Sequence, residues 1–288
     1  MNVNSWLKKA SSSIDRLDAE LILAHLFSKD RTFLHAHSDE ELTEEQQKVA
    51  DDMLARRQKH EPLAYILGYK EFYGRKFYLT PDVLIPRPET ESLVTIVKQI
   101  HQKYYTSSTS EPCKILDIGT GSGCIALSLA AELPTTTQIT ASDISAKALA
   151  CAQYNSEKLQ IKSVSLIKSN LLKSKAFKGQ TFDIIVANLP YVDKAWPWLD
   201  KNTLKYEPKT ALYASGYGLG LIKELIDKAP KYLNEGGFLV LEADICQHQE
   251  ILDYAAEDNF LKECDFTASD AQILGQSRQS LALVLQYR

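Results

Sequence analysis

The sequence predicts an α/β protein built around a doubly wound parallel sheet, with a small helical domain and a short hairpin before it. Two patterns carry this prediction. In the first part of the chain, apolar side chains recur every three or four positions among charged neighbours, which is typical of amphipathic helices. From Cys113 onward, short apolar runs alternate with helical patterns, and strands separated by helices favour a parallel sheet.

The helical pattern of the N-terminal part covers residues 14–57. Within it, Thr43 stands three positions before Gln46, a spacing that predicts a capping box at the start of a helix. In such a box each side chain accepts a hydrogen bond from the backbone N–H group of the other residue. We therefore expect a helical domain over residues 1–70.

A linker hairpin is expected over residues 71–86. Residues 71–79 are rich in aromatic side chains and are interrupted by Gly74, so they predict two short strands joined by a turn. Pro86 and Pro88 follow, and two prolines at this spacing exclude a regular helix or strand there.

The remaining residues, 87–288, are expected to form the main α/β domain. Apolar runs predict strands at residues 114–118, 138–143, 164–167, 182–186 and 238–242. Helical patterns lie at residues 124–133 and 146–157. A last strand is predicted at residues 280–286, after another near residues 264–266.

The composition argues against several classes of protein. A formal net charge of −4 gives no overall attraction to polyanions. No apolar run reaches the roughly 18 residues of a membrane helix, and the N-terminus lacks the apolar stretch of a secretory signal. The five cysteines form no CxxC pair, and the six histidines show no metal-ligand spacing. We expect a cytoplasmic protein without a membrane segment or a metal.

A glycine-rich turn follows the first predicted strand of the sheet. Its alternate glycines, Gly119, Gly121 and Gly123, permit a tight turn and a close approach of backbone to a ligand. The carboxyl edge of a parallel sheet is where such folds bind ligands. The spacing is GxGxG, which differs from the dinucleotide fingerprint GxGxxG. The alternative to a ligand-binding turn is that these glycines only join the strand to the helix.

Two acidic residues accompany the glycine turn. Asp117 ends the strand before it, where a carboxylate would repel a pyrophosphate but attract the ammonium group of a methionine moiety. Asp143 ends the next strand, from which a carboxylate can accept hydrogen bonds from ribose hydroxyls. Together they favour S-adenosylmethionine over a dinucleotide. Asp143 alone is equally consistent with a helix cap.

The sequence Asn188-Leu189-Pro190-Tyr191 follows the fourth predicted strand and suits methyl transfer to a planar nitrogen. Such a nitrogen reacts poorly because its lone pair is delocalised. The Asn188 side-chain oxygen and the Leu189 carbonyl can hold the NH2 protons and aim the lone pair at the methyl group. Tyr191 offers an aromatic face, and no strong base is needed because a proton can leave to solvent. The alternative is an ordinary loop in which Asn caps, Pro turns and Tyr packs.

Further segments carry a resemblance to a known family. They lie at residues 16–21, 61–68, 71–74, 84–91, 117–124, 207–208 and 211–212, and at Gly275 and Arg278. These segments, which span nearly the whole chain, resemble those of the release factor glutamine methyltransferases, the HemK/PrmC family. The segments before the sheet matter most, because methyltransferases in general share only the glycine turn and the Asn-x-Pro-Tyr group.

The resemblance implies a class I S-adenosylmethionine-dependent methyltransferase fold over residues 87–288. The implied reaction methylates the side-chain amide nitrogen N5 of the glutamine in the Gly-Gly-Gln motif of class I peptide-chain release factors. The implied cofactor contacts are Gly119, Thr120, Gly121, Ser122, Gly123, Asp143, Asn170, Leu171 and Asn188, besides Asp117 from its charge. Asn188, Leu189, Pro190 and Tyr191 would hold the glutamine, and the helical domain would grip the factor.

The chain departs from the family pattern at two places. Leu189 stands where the family usually has proline, and Asn-Leu-Pro-Tyr also occurs in rRNA adenine dimethylases. Because this residue would act through its carbonyl, the chemistry should survive the change. The sequence Glu242-Ala243-Asp244 replaces the usual Glu-Ile-Gly.

Two other functions remain open at the level of sequence. A nucleic-acid amino-methyltransferase acting on adenine N6 or cytosine N4 would use the same Asn-Leu-Pro-Tyr group to hold a flipped base. The second function is that of a non-catalytic adaptor, which would bind the cofactor and a translation protein. Arg87, Glu89 and Glu91 either line a substrate channel or only lock the linker by surface ion pairs. We expect a monomer with no direct nucleic-acid partner.

Overall fold

The structure, a computed structural model, describes residues 1–105, 111–257, 260–262 and 280–287. The helices are α1 Val3–Ala10, α2 Arg16–Phe27, α3 Arg31–Ala36, α4 Glu44–Gln58, α5 Leu63–Leu67, α6 Glu91–Tyr104, α7 Cys124–Glu132, α8 Ala146–Lys158, α9 Lys201–Leu204, α10 Lys209–Leu212, α11 Gly220–Lys228 and α12 His248–Glu257. The strands are β1 Tyr69–Phe72, β2 Arg75–Tyr78, β3 Lys114–Ile118, β4 Gln138–Asp143, β5 Val164–Lys168, β6 Phe182–Ala187, β7 Leu233–Asp244, β8 Phe260–Lys262 and β9 Ser280–Tyr287. Within these described ranges no helix is long and apolar enough to cross a membrane.

The chain divides into two compact units. The first comprises Met1–Tyr69 with Asp200–Tyr206, and the second comprises Lys70–Leu199 with Glu207–Arg288. The first unit is helical and has an apolar core of its own, in which Trp6 is fully buried and donates its indole N–H group to Asp51 Oδ1 at 2.9 Å. Helix α1 lies outside the predicted helical span, because eight residues are too few for a periodic pattern to stand out.

Local signals in the sequence are confirmed at two places. Thr43 caps α4 by accepting from the Gln46 N–H group, and the Gln46 side chain accepts from the Thr43 N–H group, which completes the capping box. Strands β1 and β2 pair in a two-stranded sheet, with Gly74 at φ +70° in the turn between them. Both devices depend only on residues close in sequence, which is why the pattern alone could predict them.

In the described part of the second unit, seven strands form a sheet of order β5-β4-β3-β6-β7-β9-β8. Neighbouring strands from β5 to β7 are parallel, whereas β9 is antiparallel to β7 and to β8. Successive side chains of a strand point to opposite faces. Ile115 accordingly joins a core shared with α6 and α7, and Leu116 joins a core shared with α11 and α12. The doubly wound α/β fold is therefore confirmed, with a mixed rather than wholly parallel sheet.

Strand β7 begins earlier than the predicted run at residues 238–242. It starts at Leu233 and passes through Gly236 and Gly237, where its register with β6 shifts between Phe182 and Ile184. The irregularity absorbs the glycine pair that the sequence pattern marks as a strand boundary. The strand expected near residues 264–266, and the residues Gly275 and Arg278, lie outside the described residues.

Candidate active site

A cavity of about 350 Å³ lies at the carboxyl ends of β3, β4, β5 and β6. The glycine turn after β3 and the residues that follow each of the other three strands form its walls. The segment from Asp82 to Thr90 closes another side. Parallel α/β sheets bind ligands at this edge, and the volume is that of a small-molecule site.

The glycine turn has the backbone conformation that requires glycine. Gly119, Gly121 and Gly123 have φ values of +77°, +56° and +83°. A Cβ atom on Gly123 would stand 3.0 Å from Leu127 Cδ1 and 3.1 Å from Ala152 Cβ, so the turn also packs tightly against two helices. The Gly119 and Thr120 N–H groups both donate to the carbonyl of the residue before Asp143, which ties the turn to β4. Thr120 and Ser122 line the cavity together with Gly119 and Gly121.

Asp117 lies beneath this turn and is not among the cavity-lining residues. It is fully buried, and its Oδ2 atom accepts from Thr120 Oγ1 at 2.7 Å and from the Ala126 N–H group at 3.2 Å. Its Oδ1 atom has no hydrogen-bond partner among the described residues. Burial raises the pKa of Asp117 to about 7, against the lowering effect of these two hydrogen bonds. The contact expected with an ammonium group stays a prediction.

The raised pKa of Asp117 predicts a specific dependence of stability on pH. The unfolded carboxyl ionises near pH 3.8 and the folded one near 7. Between these values the folded state binds more protons, so the free energy of unfolding contributed by this group falls as the pH rises. We expect the loss of stability between about pH 5 and pH 7 to be smaller in Asp117→Asn than in the wild type, measured by urea unfolding.

The matched control for this measurement is the exposed Asp39. Asp39→Asn should keep the wild-type difference in unfolding free energy between the two pH values. His101, whose pKa is lowered by burial, titrates with the opposite sign but is present in all three proteins, so its effect cancels. Equal slopes for the wild type and Asp117→Asn would contradict the prediction.

Asp143 lies on the cavity wall at the end of β4. Its Oδ2 atom accepts from the Gly121 N–H group at 3.0 Å, and its Oδ1 atom accepts from the Ser145 N–H group at 2.8 Å. Burial raises the pKa of Asp143, while these backbone hydrogen bonds lower it. The N-cap of α8 is Ser145 rather than Asp143, so capping alone does not account for Asp143. The next residue, Ile144, also lines the cavity and is 59% exposed.

Asn170 and Leu171 line the cavity after β5. Leu171 is buried and takes the left-handed conformation with φ +48°, and its carbonyl accepts from Ser169 Oγ. An L-residue other than glycine rarely adopts this conformation, which marks a turn held by its surroundings.

The sequence Asn188 to Tyr191 follows β6, and its first three residues line the cavity. Asn188 Nδ2 donates to Thr90 Oγ1 at 3.0 Å. Leu189 is buried, and its Cδ2 atom would meet a Cβ atom on Gly119 at 3.3 Å. The glycine turn therefore packs closely against residues 188–191, which we call the acceptor loop because they would hold the group that accepts the methyl.

Tyr191 is placed differently from its three neighbours. It is not among the cavity-lining residues, and its ring packs against the core shared by α11 and α12. Its hydroxyl donates to Glu242 Oε1 at 3.1 Å, and its carbonyl accepts from Gln247 Nε2 at 2.9 Å. Asp244 and Gln247 also form a capping box. The sequence Glu242-Ala243-Asp244, which differs from the usual family pattern, therefore ends in a turn held by hydrogen bonds.

Arg87 lines the cavity, and its ion pair is not a surface pair. Its partner Glu207 has a fully buried side chain that accepts from Arg87 Nη2 at 2.5 Å and from the Ile85 N–H group at 3.2 Å. Glu91 instead accepts from the Tyr73 N–H group at 2.8 Å, which fixes the hairpin turn. Sequence reasoning missed the parts played by Thr90, Glu207 and Gln247, because each bonds a residue far away in the chain.

No cluster of three or more His, Cys, Asp or Glu side chains that could hold a metal ion occurs in the part of the chain that the structure describes. Cys113, Cys124 and Cys151 are buried, and Cys246 is exposed.

Solved structures share the fold. A methyltransferase from Pyrococcus furiosus matches with a TM-score of 0.50 at 20% identity, over 82% of this chain and 98% of that one. A 16S rRNA N2 methyltransferase from T. thermophilus, solved with AdoMet and guanosine, matches with a TM-score of 0.52 at 16% identity, over 76% of this chain and 50% of that one. The model of a methyltransferase domain matches residues 109–281. The fold is that of a class I S-adenosylmethionine-dependent methyltransferase.

The relatives define the family more closely. The model of the PrmC N-terminal domain matches residues 3–68. The release factor glutamine methyltransferase of Escherichia coli (strain K12) is 38% identical over 247 residues, covering 84% of this chain and 86% of the relative. That of Coxiella burnetii is 38% identical over 265 residues, covering 92% and 91%. The chain belongs to the release factor glutamine methyltransferase family.

Proposed function

We propose that this protein transfers a methyl group from S-adenosylmethionine to the N5 amide nitrogen of the glutamine in the Gly-Gly-Gln motif of class I peptide-chain release factors. The observation that carries the proposal is Asn188, which stands on the cavity wall with its amide nitrogen already bonded to Thr90. This arrangement leaves the Asn188 oxygen as an acceptor for an NH2 group. The names of the relatives that align along most of the chain support the same substrate.

The cavity suits an adenosine-bearing cofactor. Asp143 would accept hydrogen bonds from ribose hydroxyls, and the exposed Ile144 beside it offers an apolar surface for a flat base. The turn from Gly119 to Gly123, with Asn170 and Leu171, would complete the binding site. When bound, S-adenosylmethionine supplies a methyl group on a positively charged sulfur.

The acceptor loop would act by holding the glutamine amide. The Asn188 oxygen and the Leu189 carbonyl would accept the two N–H protons, so the lone pair of the nitrogen is directed toward the methyl group. Holding both protons also favours the pyramidal nitrogen of the transition state. Pro190 stiffens the loop because its φ angle is fixed. Tyr191 would anchor the loop through Glu242 and Gln247 rather than contact the glutamine directly. A proton then leaves to water.

The first unit is proposed to recognise the release factor, over residues 1–70. Support comes from the match of residues 3–68 to the model of the PrmC N-terminal domain, which lies apart from the methyltransferase domain matched at residues 109–281. Residues 71–86 would link it to the methyltransferase domain at residues 87–288. We place the enzyme in the cytoplasm, where release factors act, and propose that it works as a monomer, which light scattering would test.

Mass spectrometry of an unmodified class I release factor, incubated with this protein and S-adenosylmethionine, tests the proposed reaction. We expect one added methyl group on the glutamine of the Gly-Gly-Gln motif. A factor in which that glutamine is replaced by alanine is the control and should stay unmodified. Label that appears in rRNA or DNA, with none on the factor, would contradict the proposal in favour of a nucleic-acid amino-methyltransferase.

A further inference from the structure

Thr90 directly precedes α6 and is the last residue of a short 3-10 helix, Pro88–Thr90, so its backbone is already helical, with φ −64° and ψ −20°. Within α6, which lies wholly in the described part of the chain, no backbone N–H group bonds to the Thr90 side chain. The hydroxyl instead accepts from Asn188 Nδ2 at 3.0 Å, across 98 residues of sequence. Thr90 is 2% exposed and lines the cavity. The hydroxyl thus bonds the loop that follows β6 and not a backbone N–H group of α6.

The turn that carries Thr90 is itself held in place. The Thr90 N–H group donates to the Arg87 carbonyl at 3.1 Å, and the buried Glu207 carboxylate bonds both Arg87 and the Ile85 N–H group. Ser92 Oγ donates to the Glu89 carbonyl at 2.7 Å. The backbone that carries Thr90 is therefore bonded on both sides, and its side chain is buried at the cavity wall.

The bond between Asn188 and Thr90 matters because an asparagine amide presents an acceptor on one side and a donor on the other. Rotation of the Asn188 amide by half a turn would direct NH2 into the cavity in place of the oxygen. An NH2 group cannot accept the protons of a glutamine amide, but it can donate to a carboxylate. The direction of this one amide therefore decides whether the cavity favours a carboxamide or an acid.

We propose that Thr90 is a positioning and specificity-determining residue, whose hydroxyl acts as the acceptor of Asn188 Nδ2, keeps the Asn188 oxygen toward the substrate and thereby selects glutamine over glutamate. The inference rests on the proposed function. Selection works in both directions: the oxygen accepts from a carboxamide, and it repels a carboxylate, which has no proton to donate.

The test compares Thr90→Val, which keeps the shape but loses the hydroxyl, with Thr90→Ser, which keeps the hydroxyl. Thr90→Val should lower kcat for the release factor about 10- to 100-fold, the loss that a small misplacement of a reacting group produces. Its affinity for S-adenosylmethionine, measured by calorimetry, should fall much less than kcat, and its Tm should stay close to that of the wild type. Thr90→Ser should recover most of kcat. Thr95→Val, on the same helix with its hydroxyl bonded to the Glu91 carbonyl, is the matched control and should not change kcat.

The preference for a glutamine factor over a glutamate factor is a second measurement, and a purely structural role of Thr90 would leave this preference unchanged. A release factor with glutamate in place of the motif glutamine cannot be methylated at an amide and serves as a competitive inhibitor. The wild type should bind it more weakly than the glutamine factor, and Thr90→Val should narrow that difference. In the Asn188→Ala background, Thr90→Val should have little further effect on kcat, because both changes remove the same oriented oxygen.

Each outcome decides the matter. Three results would overturn the inference while the proposed function stands. Thr90→Val could keep the wild-type kcat, or it could lose kcat only in proportion to a loss of cofactor affinity or of Tm. It could also keep the wild-type ratio between the affinities for the glutamine factor and the glutamate factor. A wild-type enzyme that leaves the glutamine of the factor unmodified would instead defeat the proposed function, and the role of Thr90 with it.

Discussion

Asn188→Ala is expected to lower the rate of methyl transfer to the release factor by about 10²- to 10³-fold, the loss that follows removal of one preorganised hydrogen-bonding group from an active site. The reason is that the Asn188 oxygen is the side-chain acceptor that would hold the glutamine amide. Release factor binding should persist, because the helical unit is proposed to supply it. Single-turnover kinetics with radiolabelled S-adenosylmethionine would measure the rate.

Two variants serve as controls for Asn188→Ala. Asn202 is exposed and is not among the cavity-lining residues, so Asn202→Ala should transfer at the wild-type rate. Leu189→Pro restores the usual residue of the family and keeps a backbone carbonyl at that position, so its rate should stay within a few-fold of the wild type. Unchanged transfer by Asn188→Ala would remove Asn188 from the mechanism.

Gly218→Ala is expected to cost about 2 to 5 kcal/mol of unfolding free energy, from a left-handed residue with a side chain together with a steric overlap. Gly218 has φ +86°, and a Cβ atom there would stand 2.0 Å from the Tyr191 carbonyl oxygen and 2.7 Å from Gln247 Nε2. Gln247 Nε2 also bonds the Tyr217 carbonyl at 3.0 Å, so a shift of either partner disturbs the whole junction. Because this junction anchors Tyr191, methyl transfer should fall at least tenfold as well.

Gly179→Ala separates strain from overlap. Gly179 has a similar φ of +74°, but a Cβ atom there would meet nothing within 4 Å. It should therefore cost only the roughly 1 to 2 kcal/mol of the left-handed conformation and leave methyl transfer unchanged. Urea unfolding of both variants gives the comparison. If Gly218→Ala and Gly179→Ala lose the same unfolding free energy, the steric overlap at Tyr191 does not contribute to the loss.

The fold was predictable where its signals are local. The runs around Leu116, Ala141 and Ile185 are short and apolar, as strands buried on both faces must be, and helical patterns separate them. The direction of β9 was not predictable, because the alternation of side chains is the same whichever way a strand runs. The early start of β7 was also missed, since a glycine pair ordinarily ends a strand and here lies within an irregularity.

The candidate site divides in the same way. The glycine turn and the acids at the strand ends could be predicted, because position along a strand determines which edge of the sheet a residue reaches. The partners of Asn188 and Ile85 could not, since Thr90 and Glu207 lie 98 and 122 residues away and bond them only in the folded chain. Asp117 shows the limit of a charge argument: the sequence indicates a carboxylate near the turn, but not that Thr120 lies between it and the cavity.

The strand order has a consequence for biosynthesis. Among the strands that the structure describes, β9 comes last along the chain, yet it lies between β7 and β8. Until residues 280–287 have left the ribosome, the backbone of β7 from Phe238 to Asp244 has an open edge, and β8 has no strand to pair with. An open apolar edge is a site for aggregation. The nascent protein should therefore depend on protection by a chaperone during this interval, and variants that slow the docking of β9 should lower the yield of folded enzyme more than its stability.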